Sequence, residues 1–520
     1  MAAPGEFPRN EPFDVESLPM LDADQVGHLR RIENLSSLLP DDWSGMQGKS
    51  SLQEDFGGLR FQLAYMSYAL ALTHRHRLPA APGLFRKTFQ RLIEKMLSPD
   101  VWTYWHYVST GNGPINSAQG ELPAEWNPVV KDNIMYSAYL QSMALLYHYM
   151  FNDGRYAEPG ALTMELKPLY WGAGGKKFVY DERSLNDHLY WMMVEKGYLG
   201  IACEPNCVFQ ICNQVPILGF RFHDMVYGGS LAKDTTDGYL RAWSDFGIAN
   251  ERGHFNMMVQ EIERNLIPTE APWIDFWLGS LMHAWNPGFV EEHYPAQIAR
   301  WGEPGPDGTL WVNETPGIPS SLGFTSARDF GWAAVCASEV GDEESLSKML
   351  GYADRFLHRT WSDGGLHYRR HDESFDGEGR FSAMDPHTGN ALLGYARLNV
   401  PGGLEKLYAE PWHEGHFEEP ALAGISDNAD VLRARFERDA QSLVLTLSPR
   451  ADRAGKVRLE LENIGKRGPW TLDIDGAAVL SGDGASLDAP KGAVAAKCET
   501  GLLHIECAID RPSNFVLTFH

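Results

Sequence analysis

The chain has 520 residues, 43% hydrophobic and 22% charged, the balance of a folded globular protein and, at this length, of two domains. Against 45 lysines and arginines stand 69 aspartates and glutamates, and the net charge of −24 argues against nucleic acid or an anionic membrane as partner. Six cysteines are too few for a disulfide scaffold, no leader-like n-region opens the chain, and no apolar run approaches the roughly 20 residues of a membrane span, so the expected setting is cytoplasmic.

Residues 1–50 are polar and punctuated by proline, and are expected to form an N-terminal arm. From Leu59 onward Leu63, Met66 and Leu70 recur at helical spacing. Residues 85–96 and 133–150 repeat the pattern, the latter with Met135, Tyr139, Met143 and Leu146 on one face. Leu185, Leu189, Met192 and Met193 predict a helix opened by Ser184 as its N-cap. Further helices are expected near 217–229, 237–248, 253–263, 273–284, 326–338, 343–357 and 388–397. The spacers between them, such as 301–308 and 362–379, are rich in Gly, Pro, Trp and charge. Many antiparallel helices joined by long loops predict a mainly α fold, an α/α toroid over 51–410 whose loops at one end build the site. There is no alternating βα rhythm and no Gly-rich phosphate fingerprint, which argues against nucleotide chemistry.

After Pro411 the texture changes. Short alternating or β-branched runs at 431–436, 442–447, 457–461, 470–474 and 501–509 are separated by Asp-Gly, Gly-Asp-Gly and Thr-Gly turns. They predict a small antiparallel β-domain of sandwich type over 425–520. Cys498 and Cys507 flank its last hairpin, out of register for a disulfide.

Three of the six cysteines fall within ten residues, Cys203-Glu204-Pro205-Asn206-Cys207-Val208-Phe209-Gln210-Ile211-Cys212. The spacing fits neither a zinc signature nor a Cys-x-x-Cys redox centre, and no metal or cofactor is expected there. Thiols beside Glu204, followed by Asn213 and His223-Asp224, read as the lining of a pocket on a loop. An aromatic content of 12%, with 16 tryptophans, has two readings: a large aromatic core, or a cavity lined by rings.

Asp132-Asn133 read as helix caps; alternatively Tyr139, one turn beyond Met135, points into the same cavity. In Gln53-Glu54-Asp55-Phe56-Gly57-Gly58 a carboxylate is either a cap or part of a site that another chain or a ligand approaches closely. Trp273, Asp275, Phe276, Trp277, His283, Trp285 and Asp385-Pro386-His387 complete a polar-aromatic mixture, each better read singly as structural.

Several strings, in order, resemble the linalool dehydratase/isomerase family over roughly residues 45–410. They are Arg60-Phe61-Gln62-Leu63-Ala64-Tyr65-Met66-Ser67-Tyr68-Ala69-Leu70, Asp132-Asn133-Ile134-Met135-Tyr136-Ser137, Cys203-Glu204-Pro205 with Cys212 nine positions after Cys203, Phe220-Arg221-Phe222-His223-Asp224, and Gly389-Asn390-Ala391-Leu392-Leu393-Gly394-Tyr395-Ala396-Arg397-Leu398-Asn399-Val400. The resemblance implies an (α/α)6 barrel, a homo-oligomer (a pentamer) and cofactor-free acid–base chemistry on an allylic alcohol in an apolar pocket. It implies an aspartate and a tyrosine from one subunit, and a methionine, a histidine and two cysteines from its neighbour. The aspartate corresponds to Asp55, the methionine to Met135 and the cysteines to Cys203 and Cys212. Two positions depart: Phe61 stands where the family has tyrosine and Tyr139 where it has histidine. Phe61 has no proton to give, and Tyr139, with an ordinary pKa near 10, is a poorer base than histidine.

Loss of water from such an alcohol needs an acid at the departing oxygen, a base at the adjacent C–H and a dry aromatic cavity. The expected acid is Cys203 or Cys212, with Tyr139 assisting; the expected base is Asp55, with Glu204 next. Phe61, Met135, His223 and Trp273 are expected to bind substrate, a small hydrophobic unsaturated molecule. The competing reading is a carbohydrate-active toroid, a polysaccharide lyase or glycosidase working through Trp273, Asp275, Trp277, Glu314 and Asp385.

Overall fold

A computed structural model describes residues 14–46, 58–111, 113, 119–170, 172, 174–312, 327–369, 386–450, 453, 455–465, 467–488, 494–499 and 501–520. The chain is mainly helical, with antiparallel sheets toward its C-terminus. It forms two compact units: Gly27–Leu72 with Thr88–Pro411, and the described part of Met1–Val26 with Thr73–Lys87 and Trp412–His520.

The first unit is built on helices that are apolar on every side. Every residue of Ile134–Phe151 is buried except His148, and every residue of Pro272–Met282 is buried, which marks both as central. Ile134–Phe151 lies against Gln214–Tyr227, and Pro272–Met282 against Ala327–Val340. At Gly219 a Cβ would fall 2.3 Å from Gln141 Oε1, so a larger residue there would displace the Gln141 amide. Peripheral helices are one-sided. Glu343–Phe356 buries Met349 and Ala353 and is capped by Asp342, which accepts from the Ser345 N–H at 3.0 Å.

Several boundaries differ from the sequence expectation for identifiable reasons. Asp181, not Ser184, caps Glu182–Glu195; Ser184 is the reciprocal member of a capping box. Residues 253–263 form no helix. Gly253 (φ 84°) turns the chain, and Met258–Gln260 becomes the middle strand between Cys207–Phe209 and Asn265–Ile267. The polar N-terminal stretch holds the helix Ala23–Ser37, whose buried side mixes Ile32 and Leu35 with His28 and Arg31. A further helix, Pro287–Trp301, escaped because Pro295 interrupts a buried stripe of Val290, Tyr294, Gln297 and Trp301.

In the second unit, residues 421–519 form two antiparallel sheets. One runs in the order Ala421–Ile425, Val457–Glu462, Leu502–Cys507, Ala495–Glu499. The other runs Ala429–Glu437, Ser442–Pro449, Ser513–Phe519, Pro469–Ile474, Ala477–Asp483, Ser486–Leu487. Alternate residues are buried, Val457, Leu459 and Leu461 in the first and Phe515, Leu517 and Phe519 in the second, the pattern of stacked sheets. Earlier segments are laced to them: Leu21 N–H donates to Leu432 O (2.8 Å), and Ala80 bonds both Ala434 and Leu422. Cys498 pairs in register with Leu503, and Cys507 with Val457.

Candidate active site

The thiol loop is tied to the start of a central helix through its backbone. Asn133 N–H donates to Cys203 O (3.0 Å) and Ile134 N–H to Ala202 O (3.3 Å). The loop closes on itself through Cys203 N–H to Cys207 O and Cys207 N–H to Glu204 O, each 2.9 Å. Asn133 is left-handed (φ 56°) and does not cap the helix. Its side-chain oxygen accepts from the Tyr104 hydroxyl (2.5 Å), and its amide donates to Pro128 O (2.8 Å). Asn213 braces the other end, donating to Ile201 O and Phe209 O and accepting from Ile201 N–H. The sulfurs of Cys203 and Cys212 are thereby fixed beside Met135.

These residues enclose a cavity of about 70 Å³. Cys203, Cys212, Glu204 and Arg60 supply its polar lining; Phe61, Met135, Phe209, Ile211, Trp273 and Trp277 supply the rest. Cys203 is 7% and Cys212 2% exposed. The Cys203 thiol is pushed well above its ordinary pKa by its hydrogen bond to Cys212 and then by burial; burial raises Cys212 as well. Both therefore carry their protons at neutral pH. The charge of Arg60 opposes these shifts without reversing them. Its guanidinium lies over two rings, 4.3 Å from the centre of Phe61 and 4.2 Å from that of Tyr104.

Behind Phe61 lies a ring cluster. Phe61 meets Tyr139 edge-on (5.8 Å, 89°), meets Trp277 likewise (5.5 Å, 83°) and stacks with His387 (5.8 Å, 25°). Trp277 Nε1–H donates to the Tyr65 hydroxyl (2.7 Å), and the Tyr65 and Tyr139 hydroxyls share a bond at 2.9 Å. Two hydroxyl hydrogens and one shared bond leave one O–H of the pair without an acceptor among the described residues. Burial raises the pKa of both phenols, so they act as donors, not as phenolates.

Of the expected site residues, Cys203, Cys212, Glu204, Phe61, Met135 and Trp273 come together at the cavity. Tyr139 is not in the lining but touches Phe61, so the two departures from the family pattern are neighbours. The phenol missing at position 61 is present at 139. His223 does not join them. It lies about 14 Å along the Gln214–Tyr227 helix from its first turn, with its ring against Tyr227 (5.0 Å) and Nδ1 near Asp224 (3.8 Å). Cys207 is buried in its strand and is not part of the lining. Asp55, Glu314 and Asp385 lie outside the described residues.

Asp275 is occupied elsewhere. Its carboxylate meets His254 Nδ1 (2.7 Å), Trp301 Nε1–H (2.6 Å) and Phe255 N–H (2.8 Å). Phe61 lines the cavity beside Met135, Cys203 and Cys212 of its own chain. The reason is local, since the helix Leu59–His76 presents Phe61 and Tyr65 to Tyr139 on Ile134–Phe151. Sequence reasoning missed Arg60, Tyr65 and Tyr104 as members of the site. The only signal for Arg60 was its place at the head of a distinctive string.

A family model described as linalool dehydratase/isomerase matches residues 60–374. Among solved structures, the chain is similar to an inactive variant of an α-1,6-mannanase from Salegentibacter sp. HEL1_6 in complex with α-1,6-mannotriose (11% identity, 72% of this chain and 99% of that one, TM-score 0.42). It is similar to an unsaturated glucuronyl hydrolase specific for heparin (11% identity, 72% and 95%, TM-score 0.41). A third likeness is to an unsaturated glucuronyl hydrolase from Bacillus sp. GL1 (13% identity, 75% and 96%, TM-score 0.39). At these scores the structural likenesses carry no argument about activity.

Proposed function

We propose that this chain, which belongs to the linalool dehydratase/isomerase family, is a lyase or isomerase that dehydrates, rearranges or cyclises a small unsaturated alcohol by acid–base chemistry of its own side chains. The carrying observation is the Cys203–Cys212 pair, protonated and hydrogen-bonded in a cavity that Phe61, Met135, Trp273 and Trp277 also line, with Arg60 and Glu204. A thiol kept neutral by burial is an acid that does not charge the cavity until it reacts. Aromatic faces stabilise the cationic character that grows as the C–O bond stretches.

In this mechanism Cys203 or Cys212 gives its S–H proton to the hydroxyl oxygen of the substrate, the C–O bond breaks, and water leaves with that bond's electron pair. A carboxylate takes a proton from the adjacent carbon, and the C–H electron pair becomes the new π-bond. Asp55 is the expected base, with Glu204, in the cavity lining, as the second candidate. Return of the proton from carboxyl to thiolate resets the site, so no oxidant or reductant is consumed. The Tyr65–Tyr139 pair, outside the lining, supports Phe61 from behind through its shared hydrogen bond and ring contacts. At roughly 10–15 Å³ for each solvent-sized occupant, a cavity of about 70 Å³ takes on the order of five heavy atoms: a short alkenol, or the reacting end of a longer one.

In the same reading residues 51–410 form an (α/α)6 barrel that carries the site, and the working protein is a homo-oligomer. Family membership supports both. The carbohydrate reading loses support because the acceptors of Asp275 are already engaged.

A product screen tests the proposal: linalool, geraniol, myrcene, simpler allylic alcohols and uronate-containing oligosaccharides, incubated anaerobically with reductant and followed by chromatography with mass detection. Turnover of an alkenol that disappears in Cys212→Ala is the expected result. Turnover of the oligosaccharides alone, equal in parent and variant, would sink it.

A further inference from the structure

The segment that enters the β-sheets contains His413-Glu414-Gly415-His416-Phe417-Glu418-Glu419, with two imidazoles and a carboxylate at i, i+3 and i+6. On an α-helix that spacing would spread the three around the axis. Here the backbone is wound more tightly. His416 N–H donates to His413 O (3.1 Å), Glu418 N–H to Gly415 O (3.0 Å) and Glu419 N–H to His416 O (3.1 Å), all three-residue turns. Only His416–Glu418 is a 3₁₀ turn, and Gly415, left-handed at φ 82°, joins it to the turn before; two successive turns, not one helix, set the three side chains together. From the neighbouring strand end, the Asn463 amide donates to Phe417 O (3.0 Å) and Glu419 O (2.9 Å), pinning the segment.

The result is a convergent triad. His413 Nε2 lies 3.4 Å and His416 Nδ1 3.5 Å from Glu419 Oε2, and the three atoms fall within 4.8 Å of one another. Around a tetrahedral zinc ion with bonds of about 2.0–2.1 Å, donor atoms stand about 3.3 Å apart. Two edges of that tetrahedron are already near that length, and the third, within 4.8 Å, has to shorten on binding. We propose that His413 Nε2, His416 Nδ1 and Glu419 Oε2 bind a zinc ion, with a water or other exchangeable ligand in the fourth position.

The surrounding groups fit this assignment. Arg438 Nε–H donates to Glu419 Oε1 (2.6 Å), the oxygen turned away from the triad, and leaves Oε2 for the ion. His413 Nδ1 lies 2.9 Å from Glu414 O, which would take the Nδ1 proton once Nε2 is on the metal; the Arg438 guanidinium N–H, which reaches the same Nδ1, would then have to swing away. Trp412 stacks on His416 (3.7 Å, 6°) and fixes its plane. A plain cluster, with imidazole N–H groups on Glu419 Oε2 and Arg438 on the outer atoms, uses the same contacts, and metal retention separates the two. None of these residues contributes to the cavity, so the site stands apart from the proposed alkenol chemistry.

The test uses the full-length protein, stripped with a chelator, reloaded with Zn²⁺ or Co²⁺ and desalted. One equivalent of metal per chain, with the intense visible absorption of tetrahedral Co²⁺, is expected in the parent. His416→Ala and Glu419→Gln should each weaken retention at least 100-fold while leaving the melting curve of the stripped protein unchanged. Where His416→Ala does not fold, His413→Ala serves, because that ring is half-exposed. A parent that retains no metal, or variants that retain as much as the parent through other thiols and histidines, overturns the assignment.

Discussion

The helical unit contains two buried polar centres that use their hydrogen bonds in opposite ways. Around Asp275 both oxygens are engaged: one holds the Phe255 N–H, the other meets His254 and Trp301, and the carboxylate clips the loop at 250–255 to two helices. Around Cys203 and Cys212 the thiols bond to each other, and one hydroxyl of the Tyr65–Tyr139 pair keeps a hydrogen without an acceptor among the described residues. Both centres are buried and flanked by tryptophan, so burial and residue type alone do not distinguish them. The commitment of lone pairs and protons does. A carboxylate with both oxygens engaged is a fastener; a protonated thiol facing a cavity is a reagent.

That contrast predicts opposite phenotypes. Asp275→Ala should lower stability by about 3–5 kcal/mol, since it leaves His254 and the Trp301 and Phe255 N–H groups buried without their partner. Urea denaturation reads this directly, and a cost below about 1 kcal/mol would mean that the clip holds nothing. Cys212→Ala should do the reverse, with a melting temperature within a few degrees of the parent and alkenol turnover down by at least about 100-fold, the scale of a lost general acid. Equal turnover in a folded variant would remove the thiols from the chemistry. Tyr139→Phe should cost less, about tenfold in turnover, because it deletes only the hydroxyl partner of Tyr65. If that loss appeared in melting temperature instead of rate, the pair would belong with Asp275 as a structural bond.

How much of this could be read from the sequence depends on the kind of signal. Cys203, Glu204 and Cys212 stood out because thiols are rare in the chain and a cluster of them has few structural explanations. Tyr65 and Tyr104 did not, because a tyrosine on an apolar helix face looks the same whether its hydroxyl serves a site or merely fills the core. Arg60 was hidden by the opposite prejudice: a buried arginine is unexpected until the two rings beside its guanidinium are seen. In the fold, the long apolar helices Leu59–His76 and Ile134–Phe151 followed from periodicity, and the five expected strands from their alternation. Ala23–Ser37 was obscured by the histidine and arginine on its buried side. The strand Ala477–Asp483 was obscured by small, half-exposed residues that carry little alternation.

The two centres should also fail in different pH windows. His254 is raised above its ordinary value of 6.5 by its hydrogen bond to Asp275. The stability it contributes is therefore full below 6.5 and is lost as pH rises through the folded-state value. For Cys203 and Cys212, raised above 9.0, the folded chain keeps protons that the unfolded chain gives up. Below 9.0 both states hold those protons and the thiols add no pH dependence. Above it stability falls, with a slope approaching about 1.4 kcal/mol per pH unit for each thiol until the folded-state value is reached. Cys336 and the buried tyrosines push the same way, so the informative quantity is the difference between parent and variant. The Cys203→Ala/Cys212→Ala double variant should flatten the decline between pH 9 and 10 and leave the neutral region unchanged. His254→Gln should flatten the neutral region and leave the alkaline decline in place. Stability curves that respond to both substitutions in the same window would mean that the two centres are one coupled network, and the division between fastener and reagent would not hold.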